Sequence, residues 1–277
     1  MVLLWQRYKY AALVVAVCSG LVAGLAFYQN GHSSAGAQPS AYPQASTSAT
    51  GRVLYYGDSL AAESARYARA NLGSKVSLVD RSYPGSSPCD WMSAARLDLS
   101  RGRPRAVVIE TFGNNISPCQ KVGGHKVPSG SLAYWAMYQK HINALVALFP
   151  SGTPIWLTAA PAAKNDRSGG GSHKARMLLV MKIVARFHRN VRVVDAGRAV
   201  ESPAGRYSAF GPCLKGSPCS NQPRRGWTRY RAMDGLHFCP TIYWATVSKL
   251  RHCSVFATGA KKFGVAQSDP VKKYLGL

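Results

Sequence analysis

Acidic residues are scarce in this sequence. Only 11 residues are Asp or Glu, against 35 Lys and Arg, which gives a formal net charge of +24 at neutral pH. A charge of this size favours association with polyanions, a class that includes nucleic acid and the anionic surface of a cell envelope. The same scarcity leaves few carboxylates that could take part in catalysis.

Internal repeats are absent as well, so nothing in the sequence indicates a repeat protein. A length of 277 residues suits one full-sized domain with a targeting segment and a linker. With 47% hydrophobic and 17% charged residues, the composition argues against global disorder.

The N-terminal segment predicts export. Arg7 and Lys9 precede an apolar run at residues 11–27, and positive charge before such a run directs the following chain across a membrane. We expect residues 1–28 to be a signal peptide or an N-terminal membrane anchor, and the uncharged, Ser/Ala/Pro/Gly-rich residues 29–50 to be a flexible linker. The protein would then be secreted or anchored to the cytoplasmic membrane facing outward. There it would meet the anionic cell envelope, and the membrane itself if the segment is uncleaved, so nucleic acid is not expected as a partner.

Six cysteines follow the N-terminal apolar run and agree with export. An even number in an oxidising compartment favours disulfides, although six cysteines allow many connectivities. Pairing of sequence neighbours predicts the bonds Cys89–Cys119, Cys213–Cys219 and Cys239–Cys253. The alternative is a zinc site built from His237, Cys239, His252 and Cys253. The spacing of these four residues along the chain matches no common grouping of zinc ligands.

Short apolar segments alternate with longer helical patterns from residue 52 onward. The predicted strands are Arg52–Tyr56, Val76–Asp80, Ala106–Thr111, Pro154–Ala159 and Val191–Asp195. The predicted helices are Ala61–Leu72, Trp91–Leu99, Leu132–Phe149, Ser172–Phe187 and Thr241–Leu250. Strands separated by helices form βαβ units, so we expect an α/β fold with a mainly parallel sheet of about five strands, covered on both faces.

Three of these strands are each followed by a candidate functional residue, at the sheet edge where ligands bind in such folds. The first strand leads into Gly57-Asp58-Ser59-Leu60, which places the Ser59 hydroxyl near a helix N-terminus. Gly85 follows the second strand and Asn115 the third, where a backbone N–H and a side-chain amide can bind an oxyanion. Taken singly, Ser59 is better explained as a helix N-cap and the other two as turn residues.

An acid and a histidine lie near the C-terminus in Asp234-Gly235-Leu236-His237. It is the only place in the chain where an acid precedes a histidine by three residues. A neutral imidazole can deprotonate a serine, and a carboxylate on its other nitrogen fixes the tautomer and stabilises the imidazolium. Four motifs in one order, each in a suitable structural context, together outweigh the separate alternatives.

The four motifs resemble those of the SGNH/GDSL hydrolase superfamily, whose sequence blocks centre on Ser, Gly, Asn and His. The resemblance implies a flavodoxin-like three-layer α/β/α fold and makes residues 51–277 the catalytic domain. Ile116 stands where the family has an Asp after the Asn, a departure that affects support of this loop rather than the triad.

The resemblance also implies a role for each motif residue. Ser59 is expected to be the nucleophile, and Asp234 and His237 to complete the catalytic triad. Ser59, Gly85 and Asn115 are expected to donate to the oxyanion. No metal or organic cofactor is needed for this chemistry.

The expected activity is that of an exported serine esterase. It would hydrolyse short-chain O-acyl esters on cell-envelope carbohydrate or lipid through an acyl-serine intermediate. The alternatives are an O-acyltransferase that passes the acyl group to an envelope glycan, and a non-catalytic polyanion- or glycan-binding module.

A basic and aromatic tract precedes the Asp/His motif. Residues 223–231 contain four arginines among aromatic side chains. The candidate substrate contacts within it are Trp227, Arg229 and Arg231, because Arg and aromatic residues are enriched at binding surfaces. A solvated basic loop explains the tract equally well.

Overall fold

The computed structural model describes residues 51–166, 172–217, 219–239 and 257–277. The predicted signal peptide or anchor at 1–28, the predicted linker at 29–50 and the predicted helix Thr241–Leu250 lie outside the described residues. In the described part, no helix is both long and apolar enough to cross a membrane.

Five parallel strands form the central sheet, as the sequence predicts. They are β1 (Arg52–Tyr56), β2 (Ser77–Asp80), β3 (Ala106–Thr111), β6 (Ile155–Ala159) and β7 (Val191–Val194). Their order across the sheet is β2-β1-β3-β6-β7. After β1 the chain continues to one side of the sheet and after β3 to the other, so a crevice forms between the carboxyl ends of these two central strands.

Two short antiparallel pairs lie outside the sheet. β4 (Lys121–Val122) pairs with β5 (His125–Lys126), and β8 (Phe210–Pro212) pairs with β9 (Trp227–Arg229). Both pairs belong to the long connections that follow β3 and β7, where the chain leaves the carboxyl edge of the sheet.

Helices cover both faces of the sheet and complete a three-layer α/β/α fold. They are α1 (Ser59–Leu72), α2 (Met92–Ser100), α3 (Leu132–Ala147), α4 (His173–Phe187) and α5 (Thr258–Leu275). Alternate residues of β1 point to opposite faces: Val53 and Tyr55 pack with α1 and α5, whereas Leu54 and Tyr56 pack with α2, α3 and α4. The predicted fold class is therefore confirmed.

Helix α5 is a long element that the sequence did not indicate. Gly259, Gly264 and Pro270 lie within it, and glycine and proline normally argue against a helix. Its buried face is nevertheless regular, because apolar or buried positions recur every three or four residues, at Ala260, Phe263, Gln267 and Val271. Packing on α1 thus outweighs the weak local helix propensity.

Two predicted disulfides are confirmed, Cys89–Cys119 and Cys213–Cys219. The third prediction, Cys239–Cys253, involves a residue outside the described part and stays a prediction. Disulfides of this kind are typical of an oxidising compartment.

The two disulfides should differ in their contribution to stability, because they close loops of different length. The sequence separation is 30 residues for Cys89–Cys119 and 6 for Cys213–Cys219. Chain-entropy arguments give about 3.5 kcal/mol for the longer loop and about 2 kcal/mol for the shorter. We expect the double variant C89S/C119S to lose more free energy of unfolding in urea titrations than C213S/C219S, and equal losses would contradict this explanation.

Candidate active site

Ser59 is the first residue of α1, directly after the turn that follows β1. Asp58 caps this helix, and its Oδ1 accepts the N–H of Leu60 at 3.0 Å. The first N–H groups of a helix have no acceptor inside it and carry the positive end of the helix dipole. The Ser59 hydroxyl therefore lies at the carboxyl edge of the sheet, beside groups that favour negative charge.

The buried carboxylate of Asp58 also contacts the loop after β3. Its Oδ2 accepts the N–H of Phe112 at 2.8 Å and the side-chain amide of Asn114 at 3.2 Å. Behind it, the N–H of Asp58 donates to Glu110 Oε2 at 3.2 Å. Burial raises the pKa of both carboxyl groups, and the neighbouring Asp58 raises that of Glu110 further, to well above its ordinary value. At Asp58 the hydrogen bonds from the N–H groups of Phe112 and Leu60 oppose the effect of burial, so Glu110 is the more readily protonated of the two.

Ser59, His237 and Asp234 form a continuous hydrogen-bonded chain. The distance from His237 Nε2 to Ser59 Oγ is 2.9 Å, and that from His237 Nδ1 to Asp234 Oδ2 is 2.7 Å. Because a carboxylate only accepts, Nδ1 carries a proton, which leaves Nε2 of a neutral imidazole able to accept the serine proton. The three residues that the sequence singled out thus have the geometry of a serine hydrolase triad.

Asp234 is fixed by the backbone of its own loop. Its Oδ1 accepts the N–H groups of Leu236 at 2.8 Å and of His237 at 3.0 Å. Burial alone would raise the pKa of Asp234, but the hydrogen bonds from the His237 side chain and from these two N–H groups lower it to about 2. The carboxylate is therefore ionised at neutral pH. The Asp234 side chain is also 41% exposed, which favours its charged form.

Two buried charged residues hold the loop on either side of His237. The Arg231 guanidinium donates to the carbonyl of Leu236, and Glu63 Oε2 accepts the N–H of Phe238 at 2.9 Å. Glu63 lies one helical turn after Ser59 on α1, so the same helix positions both the serine and the histidine loop.

The charges around His237 favour its protonated form. Burial lowers the pKa of His237, but the hydrogen bond that its ring donates to Asp234 and the negative charges of Glu63, Asp234 and Asp58 outweigh burial and raise this pKa above its ordinary value. An imidazolium that forms during proton transfer is thereby stabilised.

The loops that contain Gly85 and Asn115 lie side by side. Asn114 Nδ2 donates to the carbonyl of Ser86 at 3.2 Å, and Ser87 Oγ donates to the carbonyl of Asn114 at 3.1 Å. Gly85 has a φ of +75°, and a Cβ added there would lie 2.6 Å from Ile116 Cδ1. The Asn114 amide is already bonded to Asp58 and Ser86, so Asn115 is the asparagine left for the oxyanion. That role and the role of Gly85 stay predictions.

The basic and aromatic tract is placed on and beside the β8–β9 pair. The guanidinium of Arg224 lies 3.9 Å from the ring centre of Trp227, and that of Arg229 lies 4.4 Å from that of Phe210. Arg231 differs from expectation. Its side chain is fully buried and donates to the carbonyl of Leu236. Arg231 therefore supports the histidine loop, and the prediction that it contacts substrate is wrong.

A cavity of about 780 Å³ lies next to the triad loop. Its lining includes Lys164, Arg206 and Tyr207. Lys164 joins the cavity to the triad, because its N–H donates to the carbonyl of Gly235 at 2.9 Å. The volume lies within the range of small-ligand sites, about 300–1,000 Å³.

Sequence reasoning missed the residues that support this site. Glu63 could have been found from its position, since it is an acid one turn after the candidate nucleophile in an otherwise alanine-rich helix. Tyr134, Tyr138 and His173 gave no such signal, because their bonds reach backbone carbonyls of a distant loop.

A model of the family described as "Protein of unknown function (DUF459)" matches residues 52–243. A search of curated proteins gives no significant match. Among solved structures, the chain is similar to the lipase/acylhydrolase from Enterococcus faecalis, with 15% identity and a TM-score of 0.51, over 81% of this chain and 97% of that chain. This similarity shows the shared fold, which is that of the SGNH hydrolases.

Two further structures are similar at lower TM-scores. Est24, a carbohydrate acetylesterase from Sinorhizobium meliloti, has 15% identity and a TM-score of 0.48 over 81% of this chain and 100% of that chain. The aryl esterase from M. smegmatis has 12% identity and a TM-score of 0.48 over 81% of this chain and 99% of that chain.

The charge environment of His237 can be tested by NMR titration of its ring. We expect Glu63→Gln to lower the pKa of His237, because a negative charge that favours the imidazolium is lost while an oxygen remains for the Phe238 N–H. The control is Asp269→Asn, which removes an exposed carboxylate on α5 and should leave the pKa unchanged. An equal pKa in wild type and Glu63→Gln would contradict the assigned role of Glu63.

Proposed function

Since the chain belongs to the DUF459 family and has the SGNH hydrolase fold, we propose that it is a serine esterase with the triad Ser59, His237 and Asp234. The observation that supports this most strongly is the unbroken chain of contacts at 2.9 Å and 2.7 Å between the three side chains. These residues come from a strand-to-helix turn and from a loop 178 residues later, so local sequence proximity does not explain their contact.

The proposed reaction begins with proton transfer from the serine. Ser59 Oγ attacks the carbonyl carbon of the ester while its proton moves to His237 Nε2. The carbonyl electron pair moves onto oxygen and gives a tetrahedral oxyanion. The oxyanion collapses, the bond to the alcohol breaks, and the alcohol leaves with the proton from Nε2, so that an acyl-serine remains.

The oxyanion would be bound by three donors, the N–H groups of Ser59 and Gly85 and the side-chain amide of Asn115. The position of Ser59 at the start of α1 and the packing of the Gly85 and Asn115 loops against each other support this assignment. A donor of this kind contributes roughly 3 kcal/mol to the stabilisation of the transition state in other hydrolases.

Deacylation repeats the first half with a second acceptor. A water molecule gives its proton to His237 and attacks the acyl carbon, and the acid is released as Ser59 recovers its proton. A sugar hydroxyl in place of water would make the same protein an O-acyltransferase. Product analysis with and without a glycan acceptor separates the two outcomes.

The proposed substrate is a short O-acyl ester on a cell-envelope carbohydrate or lipid. The two disulfides and the N-terminal sequence pattern support export, and the net charge of +24 supports association with an anionic envelope. The cavity lined by Lys164, Arg206 and Tyr207 would supply cationic and aromatic surface for the carbohydrate. The pairs Arg224–Trp227 and Arg229–Phe210 would supply more.

Triad variants test the proposed chemistry. Ser59→Ala and His237→Ala should each remove nearly all hydrolysis of nitrophenyl acetate, because the nucleophile or its base is lost. Asp234→Asn should lower kcat by about 10⁴, because the same Asp→Asn change in the triad of a serine protease leaves the histidine in the wrong tautomer. Thermal unfolding confirms that each variant is folded, and full activity of folded Ser59→Ala would disprove the assignment.

Acyl chain length tests the proposed substrate class. The segments 116–131 and 199–231 that border the site are polar, glycine-rich and basic, and supply no long apolar run to enclose an acyl chain. A buried tunnel would gain roughly 0.8 kcal/mol per added CH₂, whereas an open polar site gains little. We expect kcat/KM for nitrophenyl esters to be highest for acetyl or other short acyl groups, and a steady increase toward palmitoyl would instead indicate a lipase.

A further inference from the structure

Three consecutive backbone carbonyls in the loop before Asn115 each accept a hydrogen bond from a ring-bearing side chain. His173 Nε2 lies 2.8 Å from the carbonyl oxygen of Phe112, and Tyr138 OH donates to that of Asn114 at 2.6 Å. Tyr134 OH donates to the carbonyl between them, that of Gly113. We call these three donors the loop clamp.

The loop clamp comes from two helices on one face of the sheet. Tyr134 and Tyr138 lie one turn apart on α3 and are both fully buried, and His173 is the first residue of α4. Because a carbonyl only accepts, Nε2 of His173 must carry its proton. Burial raises the pKa of Tyr134 and Tyr138 above their ordinary values, so both hydroxyls remain donors.

The loop is shaped to meet these donors. Gly113 has a φ of +112°, and a Cβ added there would lie 2.3 Å from His173 Nε2 and 2.5 Å from the Tyr134 hydroxyl oxygen. Only glycine allows both this backbone conformation and this close approach. The loop also donates two hydrogen bonds to Asp58, from the N–H of Phe112 and from the side-chain amide of Asn114.

The next residue in the chain is Asn115, whose proposed role is to donate to the oxyanion. We propose that Tyr134, Tyr138 and His173 are positioning residues that fix the Asn115 amide relative to Ser59 by holding the three preceding carbonyls. This inference rests on the proposed function, because it requires that the Asn115 amide stabilises the transition state.

The physical reason is preorganisation. A donor to a developing oxyanion is effective only if it is already aimed, and a misplacement of about 1 Å can cost on the order of 100-fold in rate. Asn115 lies two residues after Gly113, whose φ is positive, in a segment that belongs to no helix or strand. Anchoring every carbonyl from Phe112 to Asn114 on two rigid helices supplies the missing restraint.

The test is a double-mutant cycle between the loop clamp and Asn115, measured as kcat and KM for nitrophenyl acetate. Asn115→Ala alone should lower kcat by about 10²–10³. Tyr134→Phe removes one hydroxyl and keeps the ring, and should lower kcat about tenfold with little change in KM. In the Asn115→Ala background, the same Tyr134→Phe change should lower kcat less than about twofold, because the group it positions is already gone.

Tyr138→Phe provides a second measurement, also if Tyr134→Phe fails to fold. Its effect should be smaller, since Ser87 Oγ also donates to the Asn114 carbonyl, at 3.1 Å, and remains in place. The matched control is Tyr55→Phe, a fully buried tyrosine of β1 whose hydroxyl lies 3.2 Å from Ser64 Oγ on the other face of the sheet. Tyr55→Phe should lower stability without lowering kcat.

The outcomes separate the two proposals. Equal loss of kcat from Tyr134→Phe in the wild-type and Asn115→Ala backgrounds would overturn the positioning role, because the clamp would then act independently of the amide. Wild-type kcat in Asn115→Ala would overturn the oxyanion role of Asn115, and with it the positioning role, while the triad assignment would remain open to its own test.

Discussion

The site depends on the hydrogen bonds that the buried carboxyl group of Asp58 accepts. One of its oxygens caps the helix that begins with Ser59, and the other accepts two hydrogen bonds from the loop that leads to Asn115. A carboxyl group buried this completely is tolerated only when its oxygens have hydrogen-bond partners, so the helix N-terminus and the loop must both be in place. The proposed nucleophile Ser59 and the proposed oxyanion loop are thereby fixed to each other by a single side chain.

Helix α1 extends this arrangement to the histidine. Its first residue is Ser59, and Glu63 one turn later accepts the N–H next to His237. Helix α1 also packs against α5, where Ser64 Oγ and Gln267 Oε1 share a buried hydrogen bond of 3.0 Å. Ser59 therefore lies on a packed helix, and the histidine loop is hydrogen-bonded to that helix, a condition for the sub-ångström precision that acyl transfer requires.

The sequence was sufficient to predict the sheet, because its strands are short apolar runs separated by clear helical patterns. The three side chains of the proposed triad could also be singled out from the sequence, since Ser59 lies in a motif at a strand end and the other two lie in the single Asp-x-x-His sequence. Helix α5 was not, because its glycines and its proline obscure a pattern that only packing on α1 makes helical. The buried role of Arg231 and the bonds from Tyr134 and His173 to backbone were equally hidden, since the partner is a carbonyl that any residue would supply.

The proposed esterase activity depends on the reactivity of one serine, Ser59. An unactivated serine does not react with a fluorophosphonate, whereas Ser59 in contact with His237 Nε2 at 2.9 Å should. The direct measurement is to treat the folded protein with a fluorophosphonate probe and to map the modified residue by peptide mass spectrometry. The proposed triad predicts a single adduct on Ser59 that is lost in His237→Ala. An adduct on a different serine, or no adduct at all, would contradict the proposed triad.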